Sequence, residues 1–486
     1  MMRSLHIRIL LCLAAVAALG TLGCRTSPVT GEREFILVGE QEELALGNQT
    51  HPNVVFMYDG EYHDADLNRY LGTIVMRLHA CSHRPHLQME FTMLNTSIIN
   101  AFATPGHVYA TRGFLARLEN EAQFAAVMGH ELAHVAAGHT AKQLSREALL
   151  SLSFGIVDYA AGDAGWGSAV LTAGEVGVTV LGLSYSREQE RQADRVGTYY
   201  MAVAGWDPAQ AVRMQELLAS FDEHEPTLMD EYLSTHPTKD DRIVEIRTMI
   251  NAKDISSRYV QGDGVYAERW ERRLGRLHRA DRAFAPYDRG MKLLEGKNFD
   301  GALGAAQEAI SQQGDQAAFH RLKGDALLGL KRIGEAKAAY RRSLELDGKY
   351  ALATIGLGRA YLAEGDHAAA QREFDRAARA FPGSLTAQYG LATAHYDQEH
   401  YRAAIEPFRR VIQAAPDEPQ PLYALAACYD RTDQPGAARV TYRQALDAGL
   451  SGFERTRAEE RLQALERLMP REAGPSPRER FYRGGP

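Results

Sequence analysis

Apolar and polar positions alternate in three different ways along this chain. Near the start, Ile9 to Leu19 form an almost unbroken apolar stretch behind Arg3 and Arg8. Its length suits an export signal and is short for a bilayer span. From residue 25 to about 260 two periods are mixed. Glu90-Phe91-Thr92-Met93-Leu94 reads as a strand. Ile98 to Ala103 and Val108 to Thr111, joined through Thr104-Pro105-Gly106, read as a hairpin with a Pro-Gly turn. Helical periods follow. Asn120 opens one helix as N-cap, with Gln123 three residues on, and Phe124, Val127, Met128, Leu132 and Val135 on its apolar side. Ser186 and Gln189 form a capping box for another, which runs to near Gly205, ahead of Pro208.

From about residue 282 the texture becomes periodic. Ala302, Ala336, Ala370, Ala404 and Ala438 are spaced by 34. Twelve residues before them stand Gly290, Gly324, Gly358, Ala392 and Ala426; four after stand Ala306, Tyr340, Phe374, Phe408 and Tyr442. Small residues let paired helices approach, and the larger ring fills the gap between pairs. This period with these residue types resembles the tetratricopeptide repeat, an all-α solenoid whose groove binds peptides or proteins. The expected organisation is an export signal over 1–23, an α+β domain over 24–260, a connecting helix or linker over 261–281, five repeats over 282–450, and a capping helix with a loose tail over 451–486.

Composition narrows the function. The chain has 486 residues, 45% apolar and 24% charged, ordinary for globular domains. A net charge of -7 argues against nucleic acid as a partner, because phosphate binding needs surplus Lys and Arg. Cys24 directly follows Thr21-Leu22-Gly23, which resembles a bacterial lipoprotein signal, although Thr21 stands where that signal usually has Leu. The expectation is a lipid on Cys24 giving membrane contact; the alternative is a plain cleaved signal. Cys81 and Cys428 remain in the mature body, as a disulfide or as two buried thiols.

The run HELAH carries the chemistry. His130 and His134 are one turn apart on one helix face, a spacing that lets two imidazoles reach one zinc ion. Glu131, one residue on, reaches a water on the metal rather than the metal, as general base. On a continuous helix His139 lies opposite His130 and cannot join the same ion. Ala137 and Thr140 stand where the metzincin pattern needs glycine and histidine, which excludes that subclass. Downstream, Glu190 and Asp194 share a helix face while Glu188 points elsewhere. Glu190 would complete a His₂Glu site, and Asp194 would hold the tautomer of a ligating imidazole. From spacing alone, a solvated acidic face fits these two equally well.

The segments SPVTGEREFILVGEQEE, NAFATPGHVYATRG, HELAHVAAGH, SREQERQAD and STHPTKDDR, in this order, resemble the M48 metallopeptidases. With the signal and the repeats, the likeness extends to the β-barrel assembly-enhancing group of that family. It implies a zincin-type gluzincin domain with one Zn²⁺ held by His130, His134 and Glu190, and with Glu131 as base. His236 falls on the family's THP motif, as a fourth ligand that shuts the site or as a loop-packing residue. Arg242 matches a family arginine, either stabilising an oxyanion or forming a structural salt bridge. One departure is His107, where relatives often carry a second glycine.

Three further readings complete the picture. Asn100 to Ala103 form the strand at the cleft edge, to which an extended substrate adds by backbone hydrogen bonds, or else an ordinary hairpin strand. Residues 148–184 carry only Asp158, Asp163 and Glu175 as charges and read as a buried helix pair, the alternatives being a mobile cover over the site or a membrane-touching surface. His79, His83 and His86 with Cys81 read as a loop rather than a second metal site. The resemblance implies a periplasmic protease of misfolded or stalled outer-membrane proteins, with the repeats recruiting unfolded polypeptide or assembly machinery. The rival is a chaperone or scaffold acting through the repeats.

Overall fold

The structure, a computed structural model, describes residues 24–146, 184–224, 226–236, 240–251 and 260–468. The export stretch, the 148–184 segment except its last residue, and the tail from Arg471 lie outside the described residues. The chain divides into two compact units, Met1–Asp288 and Arg289–Pro486. Among the described residues no helix is long and apolar enough to cross a membrane.

The first unit opens with β1 (Cys24–Thr26) paired antiparallel with β2 (Arg33–Phe35). Helices α1 (Glu40–Met57) and α2 (Ala65–Ala80) follow. Glu43 of α1 is buried and meets two cations, Arg25 at 2.8 Å and Arg84 at 2.9 Å. The same nitrogen of Arg84 donates to the carbonyl of Val135 at 3.1 Å. The three histidines near Cys81 take separate partners. His79 Nε2 meets the Leu87 carbonyl, His83 Nδ1 the Tyr200 hydroxyl, and His86 Nε2 the Glu40 carboxylate. Cys81 and Cys428 are both free thiols.

The sheet has the order β3-β5-β4, with β3 (Glu90–Leu94) parallel to β5 (His107–Thr111) and β4 (Ala101–Thr104) antiparallel to it. The Pro-Gly hairpin therefore forms, and it leaves β4 at the edge. Gly106 makes the turn at φ +92°, a conformation that strains any residue with a Cβ. His107 is accommodated as the first residue of β5. Its ring stacks on His51 at 4.2 Å and its Nε2 meets Asn48 Oδ1 at 2.9 Å.

Helix α3 (Glu121–Ala136) is capped by Asn120, whose Oδ1 accepts from Gln123 N–H at 2.9 Å, while Gln123 Oε1 reaches back to Glu119 N–H. Every residue of α3 is buried, so it runs through the middle of the unit rather than along its surface. Helix α4 (Arg187–Val203) starts on the reciprocal Ser186–Gln189 capping box. The two helices meet backbone to backbone. A Cβ placed on Gly197 would lie 2.5 Å from His130 N, and one on Gly129 would lie 2.8 Å from the Gly197 carbonyl. After α4 come α5 (Ala209–His224), α6 (Pro226–Thr235) and α7 (Asp240–Asn251).

Residues 261–281 become helical at Ala267, where α8 (Ala267–Glu295) begins. Trp270, Leu274 and Leu277 are fully buried, and Trp270 Nε1 donates to the Leu118 carbonyl at 2.9 Å. Arg269 pairs with the buried carboxylate of Glu121, which also accepts from Tyr70 and Trp206. Such a carboxylate is tolerated inside because its oxygens are all engaged.

In the second unit Phe299–Gln312 is followed by antiparallel helix pairs, from Ala317–Gly329 with Ile333–Leu346 to Pro419–Arg431 with Pro435–Asp447, and then by Gly452–Leu468. The 34-residue period has a plain packing cause. Tyr340 lies against both Gly324 and Gly356, where added Cβ atoms would stand 2.6 and 2.3 Å from its ring. Phe374 lies in the same way against Gly358 and Gly390.

The α3–α4 contact is testable. Gly197→Ala places a methyl against rigid backbone, an overpacking that costs ~1–3 kcal/mol. Thermal unfolding followed by circular dichroism is expected to show a transition several degrees lower than the parent. An unchanged midpoint would mean that the two helices can separate freely.

Candidate metal centre

Four buried side chains converge: His130 and His134 from α3, Glu190 from the first turn of α4, and His236 directly after α6. One donor atom of each lies within 4.8 Å of the others. Glu190 Oε1 stands 3.0 Å from His236 Nδ1 and 3.4 Å from His134 Nε2, and Glu190 Oε2 stands 3.5 Å from His130 Nε2.

Asp194, one turn beyond Glu190, is 3.0 Å from His130 Nδ1. Burial alone would raise the Asp194 pKa, but Arg242 and His130 outweigh it and hold the carboxylate ionised. An ionised carboxylate only accepts, so His130 carries its proton on Nδ1 and turns Nε2 inward. Arg242 donates to both oxygens of Asp194, at 2.7 and 2.8 Å, and stands 3.1 Å from Glu190 Oε2. Its guanidinium thus contacts both carboxylates that serve the cluster.

His130 Nε2 and His134 Nε2 are 3.0 Å apart. Two inward lone pairs at that distance repel unless a positive charge lies between them. Burial disfavours the charged His130 ring, yet Asp194 and Glu190 outweigh it and lift its pKa to about 10. Burial pushes the pKa of His134 well down, with Glu190 opposing. Glu131 is also buried, and burial raises its pKa. Its Oε1 has no hydrogen-bond partner; His236 Nε2 is 3.7 Å away. Inward imidazole nitrogens and one carboxylate, with the buried carboxylate of Glu131 beside them, form a donor set that suits a divalent ion of the zinc type.

His139 stands apart from the four, but not for the helical-wheel reason. Helix α3 ends at Ala136, Gly138 reverses the chain at φ +64°, and the helix resumes over 139–146. Sequence reasoning also missed Tyr185, whose ring stacks on His134 at 3.9 Å. It stands directly before the Ser186 capping box, the one signal that could have drawn attention to it. Glu188 is exposed and pairs with Arg195, away from the cluster.

A small cleft opens beside the cluster, lined by Asn100, by Phe102 and Thr104 of the edge strand, and by Glu131, Tyr185 and Glu231. Helix α6 is fastened to the start of that strand. Ile99 N–H donates to the Leu228 carbonyl at 2.9 Å, and Asn100 Nδ2 donates to Glu231 Oε1 at 3.0 Å.

Comparison with known proteins agrees with this architecture. Residues 65–250 match the model of peptidase family M48, and 287–351, 355–419 and 389–452 match that of the tetratricopeptide repeat. The chain carries an M48 peptidase domain followed by tetratricopeptide repeats. It is 27% identical over 331 residues to the beta-barrel assembly-enhancing protease of Escherichia coli K12, covering 62% of this chain and 66% of that protein, just under two thirds. It is 28% identical over 234 residues to the mitochondrial metalloendopeptidase OMA1 of Saccharomyces cerevisiae, covering 45% of this chain and 66% of that one. A solved tetratricopeptide protein, YrrB, aligns at 15% identity and TM-score 0.32 over 37% of this chain and 92% of that one.

The inward donors predict the behaviour of added metal. Zinc titrated into the protein in weak buffer is expected to bind once per chain and to release protons, because a ligating imidazole must offer a bare nitrogen and the pKa of His130 is raised. His130→Ala is expected to lose stoichiometric zinc while keeping its circular dichroism spectrum. Full zinc content in that variant would remove the assignment.

Proposed function

We propose that this chain is an exported zinc endopeptidase whose site rests closed, with His236 as the fourth ligand beside His130, His134 and Glu190. The observation that carries the reading is the convergence of those four donors next to the buried carboxylate of Glu131, whose Oε1 has no hydrogen-bond partner. When bound, the ion supplies Lewis acidity to the scissile carbonyl and to the attacking water. Glu131 takes a proton from that water as its oxygen bonds to the carbonyl carbon. It returns the proton to the amide nitrogen as the C–N bond breaks. The rise in its pKa on burial brings its basicity closer to that task.

An extended substrate adds to β4, whose position at the sheet edge supports backbone pairing with little regard for sequence. At rest the strand entry is tied to α6, the helix that ends in His236. Release of α6 frees the edge and the ligand position together, so substrate is admitted as the site opens. The tetratricopeptide repeats recruit unfolded or misassembled polypeptide, or the machinery that assembles it. The Escherichia coli relative is named for enhancing β-barrel assembly, which supports a role in the quality control of such proteins; this reading puts the chain in the periplasm, anchored through a lipid on Cys24.

A second reading draws on the same closed cluster: a chaperone or scaffold that works through the repeats while the site stays shut. Two variants separate them, assayed on an unfolded protein such as reduced casein. Glu131→Gln is expected to keep its zinc and lose cleavage by about 10²–10⁴-fold. His236→Ala is expected to cleave faster than the parent. A Glu131→Gln chain that retains every activity of the parent would hand the function to the repeats.

A further inference from the structure

We propose that His139 and Gln192 are positioning residues that fix which nitrogen of His134 carries the proton, and so set how tightly α3 holds its metal. The inference rests on the metal reading above. His130 and His134 are equivalent in the HExxH pattern, yet only His130 has a carboxylate behind it. Asp194 accepts the hydrogen bond from His130 Nδ1–H. Behind His134 stands a neutral relay instead.

Its geometry follows from the end of α3. Gly138, at φ +64°, turns the chain so that His139 folds back under the helix it follows. The His139 ring is fully buried and meets the His134 ring edge-on, with centroids 4.9 Å apart and planes at 73°. His139 Nδ1 lies 2.8 Å from His134 Nδ1, and His139 Nε2 lies 2.8 Å from Gln192 Oε1. Gln192 sits on α4 between Glu190 and Asp194. That one helix thus supplies a ligand, a partner for His130, and the end of a relay to His134.

Two nitrogens 2.8 Å apart share one proton, so the relay has two possible orders. In one, His134 Nδ1–H donates to His139, His139 Nε2–H donates to the Gln192 oxygen, and His134 Nε2 is left with its lone pair facing the cluster. In the other, Gln192 presents its NH₂ group, every proton shifts by one place, and His134 Nε2 carries a hydrogen where a metal needs a lone pair. The arrangement with Oε1 toward His139 is the first. A ligating imidazole whose far N–H has an acceptor is also the stronger base and the better ligand. Gln192 therefore acts as the orienting end of the chain, two bonds removed from the ion.

The test is zinc affinity measured by chelator competition, with the visible absorption of the cobalt(II) form as a second readout. His139→Leu removes the acceptor and is expected to weaken zinc binding by about 10–100-fold. His139→Asn places an amide oxygen near the position of Nδ1 and is expected to recover most of that loss. Gln192 is only half-buried, so it tolerates a charge. Gln192→Glu, an obligate acceptor, should bind zinc at least as well as the parent, and Gln192→Lys, an obligate donor, should bind less tightly. The cobalt band should shift in His139→Leu and return in His139→Asn. Should His139→Leu fail to fold, the Gln192 pair decides alone. Equal affinity in Gln192→Glu and Gln192→Lys, or an Asn variant as weak as the Leu variant, overturns the relay. A parent that binds no zinc overturns the metal reading itself, which the same titration reports first.

Discussion

Where α3 and α4 cross, Gly129 and Gly197 leave no space for a side chain, and the two backbones touch. Everything in the centre inherits its distances from that crossing. His130 begins one residue after Gly129, and Glu190 and Asp194 lie about two turns and one turn before Gly197 on the facing helix. An ordinary helix pair is held 8–10 Å apart by its side chains. Here the close approach lets a short Asp reach one imidazole and a Glu reach two. α3 is buried on every side because α4 covers one face while α2, α5 and the strands β4 and β5 pack against the others.

Charge balance sets a second constraint. Glu190 and Asp194 are held ionised by the cations around them, the pKa of His130 is raised by those two carboxylates, and burial favours the neutral form of Glu131. A divalent ion held by the four donors would favour the ionised form of Glu131 beside them, because a nearby positive charge lowers the pKa of a carboxyl group.

Much of this was legible in the residues, and the misses have physical causes. The HELAH spacing, the Ser186 capping box and the shared face of Glu190 and Asp194 are local features, decided within a turn or two of helix. The 34-residue period was legible because each repeat needs a small residue under the same ring. Gly356 and Gly390 escaped because they belong to the neighbouring repeat, and a single register does not reveal which ring they face. His139 was misplaced by extending α3 through Gly138, although a glycine followed by a new helical run is a stop signal. Neither the fourth corner at His236 nor the stacking of Tyr185 on His134 follows from spacing. They depend on where α6 and the segment before α4 come to lie, which is tertiary information.

The strand β1 adds one consequence. It holds Cys24, and the next residue, Arg25, is bound to Glu43, which holds Arg84, which holds the last turn of α3. A chain anchored through Cys24, as proposed, would carry its lipid on a residue joined by a short relay of side chains to the helix that bears the HELAH run, so a pull on the anchor would be felt at that helix.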